Sequence, residues 1–165
     1  RPVRLMDLAS HAARLIRPDA LANGITVEVL GGGEDVVVSA DPDRLAQALL
    51  NLCLNAVQAM ESGGVMGLRT GLAADGRPFL EVTDTGVGID PAERDRLFDP
   101  YYTTKSRGTG LGLPIAHKIV AAHGGEIRLT AREHGGTSAM VVLPVAGEND
   151  ENELEDIDAG ERSRR

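Results

Sequence analysis

Residues 41 to 60 constrain the fold more tightly than any other stretch. Asp41-Pro42 places a capping carboxylate ahead of a proline whose missing N–H costs nothing in a first helical turn. Leu45, Leu49, Leu52, Ala56 and Met60 then recur at steps of three and four, so the helix must bury one face. Ser62-Gly63-Gly64 supplies the stop. A helix patterned in this way needs an apolar layer to lie on, and the rest of the chain provides strands for one. Ile25 to Leu30 alternates as a strand should, and Asp35 to Ala40 is a short apolar run. Val65 to Thr70 and Pro78 to Thr83 flank a turn at Asp75-Gly76, and Glu126 to Arg132 pairs with Thr137 to Leu143 over His134-Gly135-Gly136.

Two further helices are expected. One carries Leu5, Leu8, Ala12, Leu15 and Ile16 and stops at Asn23-Gly24; the other runs from about Leu113 to His123 and closes on Gly124-Gly125. Asp90-Pro91-Ala92-Glu93 reads as a short capped helix, with Glu93 completing a capping box. The sum is an α+β fold: a two-layer α/β sandwich with one mixed, mostly antiparallel sheet of about five strands on three helices. Its core is aliphatic, because the only aromatics are Phe79, Phe98, Tyr101 and Tyr102. Three of those four fall between positions 98 and 102.

The apolar pattern ends at Pro144. Residues 1–146 are expected to form one domain, and 147–165 an acidic, disordered tail or linker. The net charge is -8, of which -5 falls between Glu148 and Arg165. That balance argues against nucleic acid or an anionic membrane as partner. Cys53 is the sole cysteine, so no disulfide framework or thiolate metal site exists, and a reducing cytoplasm is the expected compartment. No apolar run approaches the roughly 20 residues needed to cross a bilayer. The chain opens on Arg1 rather than Met, which suggests a piece of something longer, with any membrane anchor elsewhere.

Three segments carry candidate chemistry. On the 41–60 helix a second face bears Arg44, Gln47, Asn51, Asn55 and Gln58. Such a stripe is either a solvated face or a functional set. Two mid-helix Asn cost stability relative to Ala, and amide oxygens are suitable hard ligands for Mg²⁺ when phosphates supply the charge. Next, Asp84-Thr-Gly86-Val-Gly88-Ile89 puts a carboxylate at a strand end before two glycines. It is either an Asp-capped turn or a loop whose backbone approaches a flat ligand while the carboxylate accepts from an exocyclic amine. Finally, Gly108-Thr109-Gly110-Leu111-Gly112-Leu113 leads into a helix, with Lys105 just before it. Backbone N–H groups there form an anion site, unless the run is only a flexible loop; the spacing fits neither a P-loop nor a dinucleotide fingerprint.

Taken in order, these motifs resemble the ATP-binding domains of sensor histidine kinases, in the superfamily shared with gyrase B, the Hsp90 chaperones and MutL. Asn51-Leu-Cys-Leu-Asn55-Ala resembles the N box, Asp84 to Gly88 the first glycine box, Phe98 and its neighbours the F box, and Gly108 to Leu113 the second glycine box. Gly136-Thr137 is similar to the final GT element. The likeness spans roughly residues 3 to 145, and Tyr-Thr-Thr-Lys with Gln58-Ala-Met60 points to the nitrogen-regulator-like subgroup.

The resemblance implies a Bergerat-type fold and ATP with Mg²⁺ as cofactors. Asn55 would coordinate the metal with Asn51 assisting, and Asp84 would bind the adenine amine. Gly86, Gly88, Ile89 and Thr137 would complete the base pocket. Phe98 to Thr109, including Thr104, would form a lid. Lys105 and the N–H groups of Gly110, Leu111, Gly112 and Leu113 would hold the phosphates. The implied reaction is γ-phosphoryl transfer to a histidine on a separate dimerisation hairpin of the same parent, with a response regulator downstream. The parent would be a homodimer and this piece a monomer. His11 is followed by Ala-Ala-Arg-Leu rather than by an acidic residue and Pro, so this chain lacks the acceptor. His11, His117, His123 and His134 read as ordinary surface or capping residues. Asn51 stands where some relatives carry a general-base Glu, so rapid hydrolysis is not expected. A serine kinase of the same superfamily and a non-catalytic nucleotide-binding scaffold are the alternatives.

Overall fold

The computed structural model describes residues 1–31, 35–99 and 112–146. Helix α2 spans Pro42–Ala59, and the Asp41 carboxylate accepts from the N–H of Asp43 (3.1 Å) and Arg44 (3.3 Å), satisfying two donors that a helix start leaves open. Its predicted stripe is buried as expected: Leu45, Leu49, Leu52, Ala56 and Met60 are each at most 3% exposed. Each large aliphatic chain so buried stabilises the fold by roughly 1.5–3 kcal/mol.

The layer beneath is a five-stranded sheet built from β2 (Ile25–Gly31), β4 (Gly64–Leu72), β5 (Pro78–Thr83), β6 (Glu126–Ala131) and β7 (Thr137–Val142). The order is β2-β4-β5-β7-β6, with β2 parallel to β4 and every other pair antiparallel. The single parallel pair follows from connectivity, since α2 lies between the two strands and provides a crossover. Helices α1 (Leu5–Ala22), α2 and α3 (Gly112–Ala122) cover one face, as the α+β sandwich reading requires. Leu80, Val82, Leu129, Ala139 and Val141 point into that layer and are buried.

The opposite face carries the alternate residues. Glu81 is held there by Arg69, whose Nε and Nη2 lie 2.9 and 2.8 Å from its Oε2, and by Ser138 Oγ, which donates to Oε1 at 2.6 Å. Arg69 also lies over the Phe79 ring, 5.2 Å from its centroid.

Three local expectations need correction. The run at 35–40 is not part of the main sheet: only Val37–Ser39 is strand, β3, and it pairs antiparallel with β1 (Pro2–Arg4) in a separate two-stranded sheet. Three residues show no periodicity, so β1 had no signal of its own. Leu15, counted in the helical spacing of α1, is 51% exposed; the buried stripe runs Leu5, Leu8, Ala9, Ala12, Ala13, Ile16 and Ala20. Alanines define that face, and a search for large apolar residues passes over them. Near residue 90, Asp90 Oδ1 caps a turn by accepting from Ala92 N at 3.0 Å, but the helix that follows is a 3₁₀ turn over Arg94–Phe98. Glu93 is therefore its N-cap, with no side-chain capping bond.

The tail at 147–165 lies outside the described residues. Among the described residues no helix is long and apolar enough to cross a membrane.

Candidate functional site

Asn51 and Asn55 sit one turn apart on α2, both half-buried. Four residues further on, Ala59 shares their face of the helix. The loop after β5 seats there: Val87 N donates to the Ala59 carbonyl at 3.1 Å, and a Cβ on Gly86 would overlap that same oxygen. Only glycine permits so close an approach. Val65 N donates to the Thr85 hydroxyl at 3.0 Å, and that hydroxyl lies 3.6 Å from Met60 Sδ, pinning the loop to the end of α2.

Asp84 is 6% exposed and held at its Oδ1, its N–H and its carbonyl. Its Oδ1 accepts from Gly86 N (2.9 Å) and Thr137 N (3.2 Å), and its own N–H donates to the Thr137 carbonyl at 2.9 Å. The Asp84 carbonyl accepts from Arg132 Nη1 at 2.9 Å. Gly136, at φ +91°, passes so close that a Cβ there would overlap the Asp84 carbonyl. Gly88, at φ +78°, faces the Gly136 backbone, with 3.6 Å between its Cβ position and the carbonyl. The turn between β6 and β7 and the loop after β5 thus form one interlocked unit around a single carboxylate.

Ile89 and Phe98 are half-buried against the core, and the Phe98 ring lies 5.0 Å from that of His117 on α3. Gly112 and Leu113 open α3, with open space where a Gly112 Cβ would be and Leu113 buried. Thr104, Lys105, Gly108, Thr109, Gly110 and Leu111 lie outside the described residues. The structure therefore gathers Asp84, Gly86, Gly88 and Thr137 into one unit and seats it on α2 at Ala59, one turn beyond Asn55 and two beyond Asn51.

Sequence reasoning missed three contributors. The Ala59 carbonyl is backbone and carries no residue signal. Thr85 and Arg132 look like ordinary loop and strand-end residues, and only the fold brings the Thr85 hydroxyl to Val65 N and Arg132 to the Asp84 carbonyl. Cys53 lies between the two asparagines in sequence but faces the core; burial pushes its thiol up to about 12, so it stays neutral and takes no part. A cavity of about 470 Å³ opens on the far face of the sheet beside Glu81, Arg128, Thr130 and Met140, and it borders the Asp84 loop through Thr85 and Arg132. Its floor is the strand surface turned away from α2, so it does not reach Asn51 or Asn55.

Residues 40–147 match the family described as histidine kinase-, DNA gyrase B-, and HSP90-like ATPase. Among curated proteins, the chain is 41% identical to the sensor histidine kinase ZraS of Escherichia coli (strain K12) over 143 residues, covering 87% of this chain and 30% of that protein. It thus spans about a third of the length of such relatives. Among solved structures, the mycobacterial sensor histidine kinase MprB superposes with a TM-score of 0.78 at 31% identity, covering 88% of this chain and 97% of that one. Full-length ShkA in complex with AMPPNP superposes with a TM-score of 0.75 at 31% identity, covering 89% and 32%.

Proposed function

The chain belongs to the histidine kinase-, DNA gyrase B- and HSP90-like ATPase family, among the sensor histidine kinases, and from that premise we propose that residues 1–146 are the catalytic domain that binds Mg·ATP and presents its γ-phosphoryl group to a histidine on a separate hairpin of the parent kinase. The observation that carries this reading is Asp84. It is a buried carboxylate fixed by two backbone N–H groups, on a loop seated one helical turn beyond Asn55.

The donor set fits the nucleotide and metal. The Asp84 carboxylate accepts a hydrogen bond from the adenine amine, and Gly86, Gly88, Ile89 and Thr137 line the base. Asn55, with Asn51 beside it, offers neutral amide oxygens to a hard cation already neutralised by phosphates. Lys105, Thr104 and the segment Gly108 to Leu113 would hold the phosphates. Mg·ATP supplies the transferable phosphoryl group; the protein's own contribution is positioning and charge neutralisation. Asn51 cannot take a proton from water, so the chain alone turns over ATP far more slowly than about one per second. A response regulator receives the phosphoryl group downstream, and the parent dimerises through the hairpin.

The test is a calorimetric titration of Mg·ADP into the wild-type chain and an Asp84→Asn variant. The amide keeps an oxygen for Gly86 and Thr137 but replaces the other with a donor. The fold should persist while affinity drops by roughly 10- to 100-fold. No binding by folded wild type would sink the reading. Labelled γ-phosphate then decides the acceptor: transfer to an added hairpin histidine supports the kinase, transfer to serine the alternative superfamily kinase, and no transfer a scaffold.

A further inference from the structure

His123 does more than close a helix. Its Nδ1 donates to the Ile119 carbonyl at 2.8 Å, one turn back in α3, and its Nε2 accepts from the backbone N–H of Asp41 at 3.1 Å. A carbonyl can only accept and an amide N–H can only donate, so the ring is the neutral Nδ1–H tautomer with both nitrogens used. Asp41 is the N-cap of α2. The imidazole therefore ties the C-terminal end of α3 directly to the N-terminal end of α2, across 82 positions of sequence.

An internal comparison shows that capping alone does not require this. Helix α1 ends in Asn23-Gly24, where Asn23 Nδ2 donates to the Asp19 carbonyl at 2.7 Å, the same one-turn-back bond. The backbones match as well: Asn23 N donates to Ala20 and His123 N to Val120, each at 3.0 Å. Asparagine suffices where only the cap is needed. At the end of α3 the longer ring adds a second nitrogen, and that nitrogen reaches α2.

We propose that His123 is a positioning residue: it sets the register of α3 against α2, and through it the placement of the α3 N-terminus relative to Asn51 and Asn55. This rests on the nucleotide-binding reading above. Apolar side chains between two helices resist separation but oppose sliding only weakly, because their attraction is non-directional. A directional bond between the helix ends removes that freedom. The Asp41 anchor is itself rigid, with its carboxylate on Asp43 and Arg44 and its carbonyl on Leu45 N at 3.0 Å.

Two variants separate the cap from the tie. His123→Asn keeps the bond to Ile119, as Asn23 does in α1, but cannot reach Asp41; His123→Gln extends far enough to offer an acceptor again. Mg·ADP affinity, urea unfolding and Asp41 amide exchange are measured on the full chain. His123→Asn is expected to unfold at nearly the wild-type urea concentration, to exchange the Asp41 amide faster, and to bind Mg·ADP weaker on the order of tenfold. His123→Gln should recover most of the affinity. An Asn variant that binds like wild type overturns the proposal, and so does one whose affinity and stability fall together. A folded Gln variant as weak as Asn overturns the role of the acceptor. Failure of the wild type to bind overturns the nucleotide reading itself, and this inference with it.

Discussion

Two segments follow β5 in direct succession and are held by different physics. Residues 84–88 are locked through backbone: Asp84 against Thr137, Val87 on Ala59, and Gly86 and Gly136 at approaches that exclude a Cβ. Residues 90–99 form a capped turn and a 3₁₀ turn, none of whose residues is buried, and Phe98 leans on His117. Backbone contacts with no spare volume have one solution, so the first segment is either in place or lost. A ring resting on another ring can shift by fractions of an ångström at little cost, so the second responds gradually. Under the proposed reading, a rigid loop for the base beside an adjustable approach suits a site that first holds a nucleotide and then presents its phosphates.

The sharpest way to break this contrast is Gly136→Ala. The new Cβ meets the Asp84 carbonyl at a backbone φ that L side chains avoid, so saturable Mg·ADP binding should disappear and urea unfolding should report a loss of about 2–4 kcal/mol. Retained affinity would show that the loop can move, and the contrast would fail. Gly86→Ala should act the same way through Ala59, at about 1–3 kcal/mol. A smaller effect is expected from Phe98→Ala: calorimetry should show affinity falling by roughly threefold to tenfold, with the loop bonds intact. A double-mutant cycle with His117→Ala should give a coupling of about 0.5–1.5 kcal/mol. A coupling near zero would mean that the ring contact does not hold the segment.

On the far face, Glu81→Gln should cost about 1 kcal/mol in urea, because Arg69 is half-exposed and keeps solvent. Nucleotide affinity should stay unchanged. The smallest effect is at Cys53. Its thiol is raised from 9.0 to about 12 in the fold. The unfolded thiol therefore ionises first, and this contribution to stability is present below pH 9, then declines as pH rises towards 12. Thiol reagents at neutral pH should label the chain no faster than it unfolds.

Much of the fold was legible because its signals are local and redundant. Asp41-Pro42 and the leucine stripe of α2 each specify the same helix, and Pro78–Thr83 was bounded by turn residues at both ends. Weak local signals failed: β1 is three residues long, and the face of α1 is built from alanine. The candidate site was legible as a set of residue types but not as contacts. Asp84 and the glycines mark a candidate binding loop, whereas the oxygen that seats the loop belongs to Ala59, and the guanidinium on the Asp84 carbonyl belongs to Arg132.

The histidines show the limit most plainly. His134 is exposed in its turn, as expected. His117 is exposed too, yet carries a ring contact, and His123 bridges two helices. All four looked equivalent in the chain. Local sequence specifies most of the helices and strands, the buried face of α2, and the carboxylate and glycines that follow β5, because periodicity, capping and backbone freedom act over a few residues. Which distant backbone atoms Asp84, Gly86, Gly136 and His123 meet is set by the packed fold. The distant partners, Thr137 for Asp84 and Asp41 for His123, lie 53 and 82 positions away, and closing such loops is an outcome of packing the whole core, which no local pattern encodes.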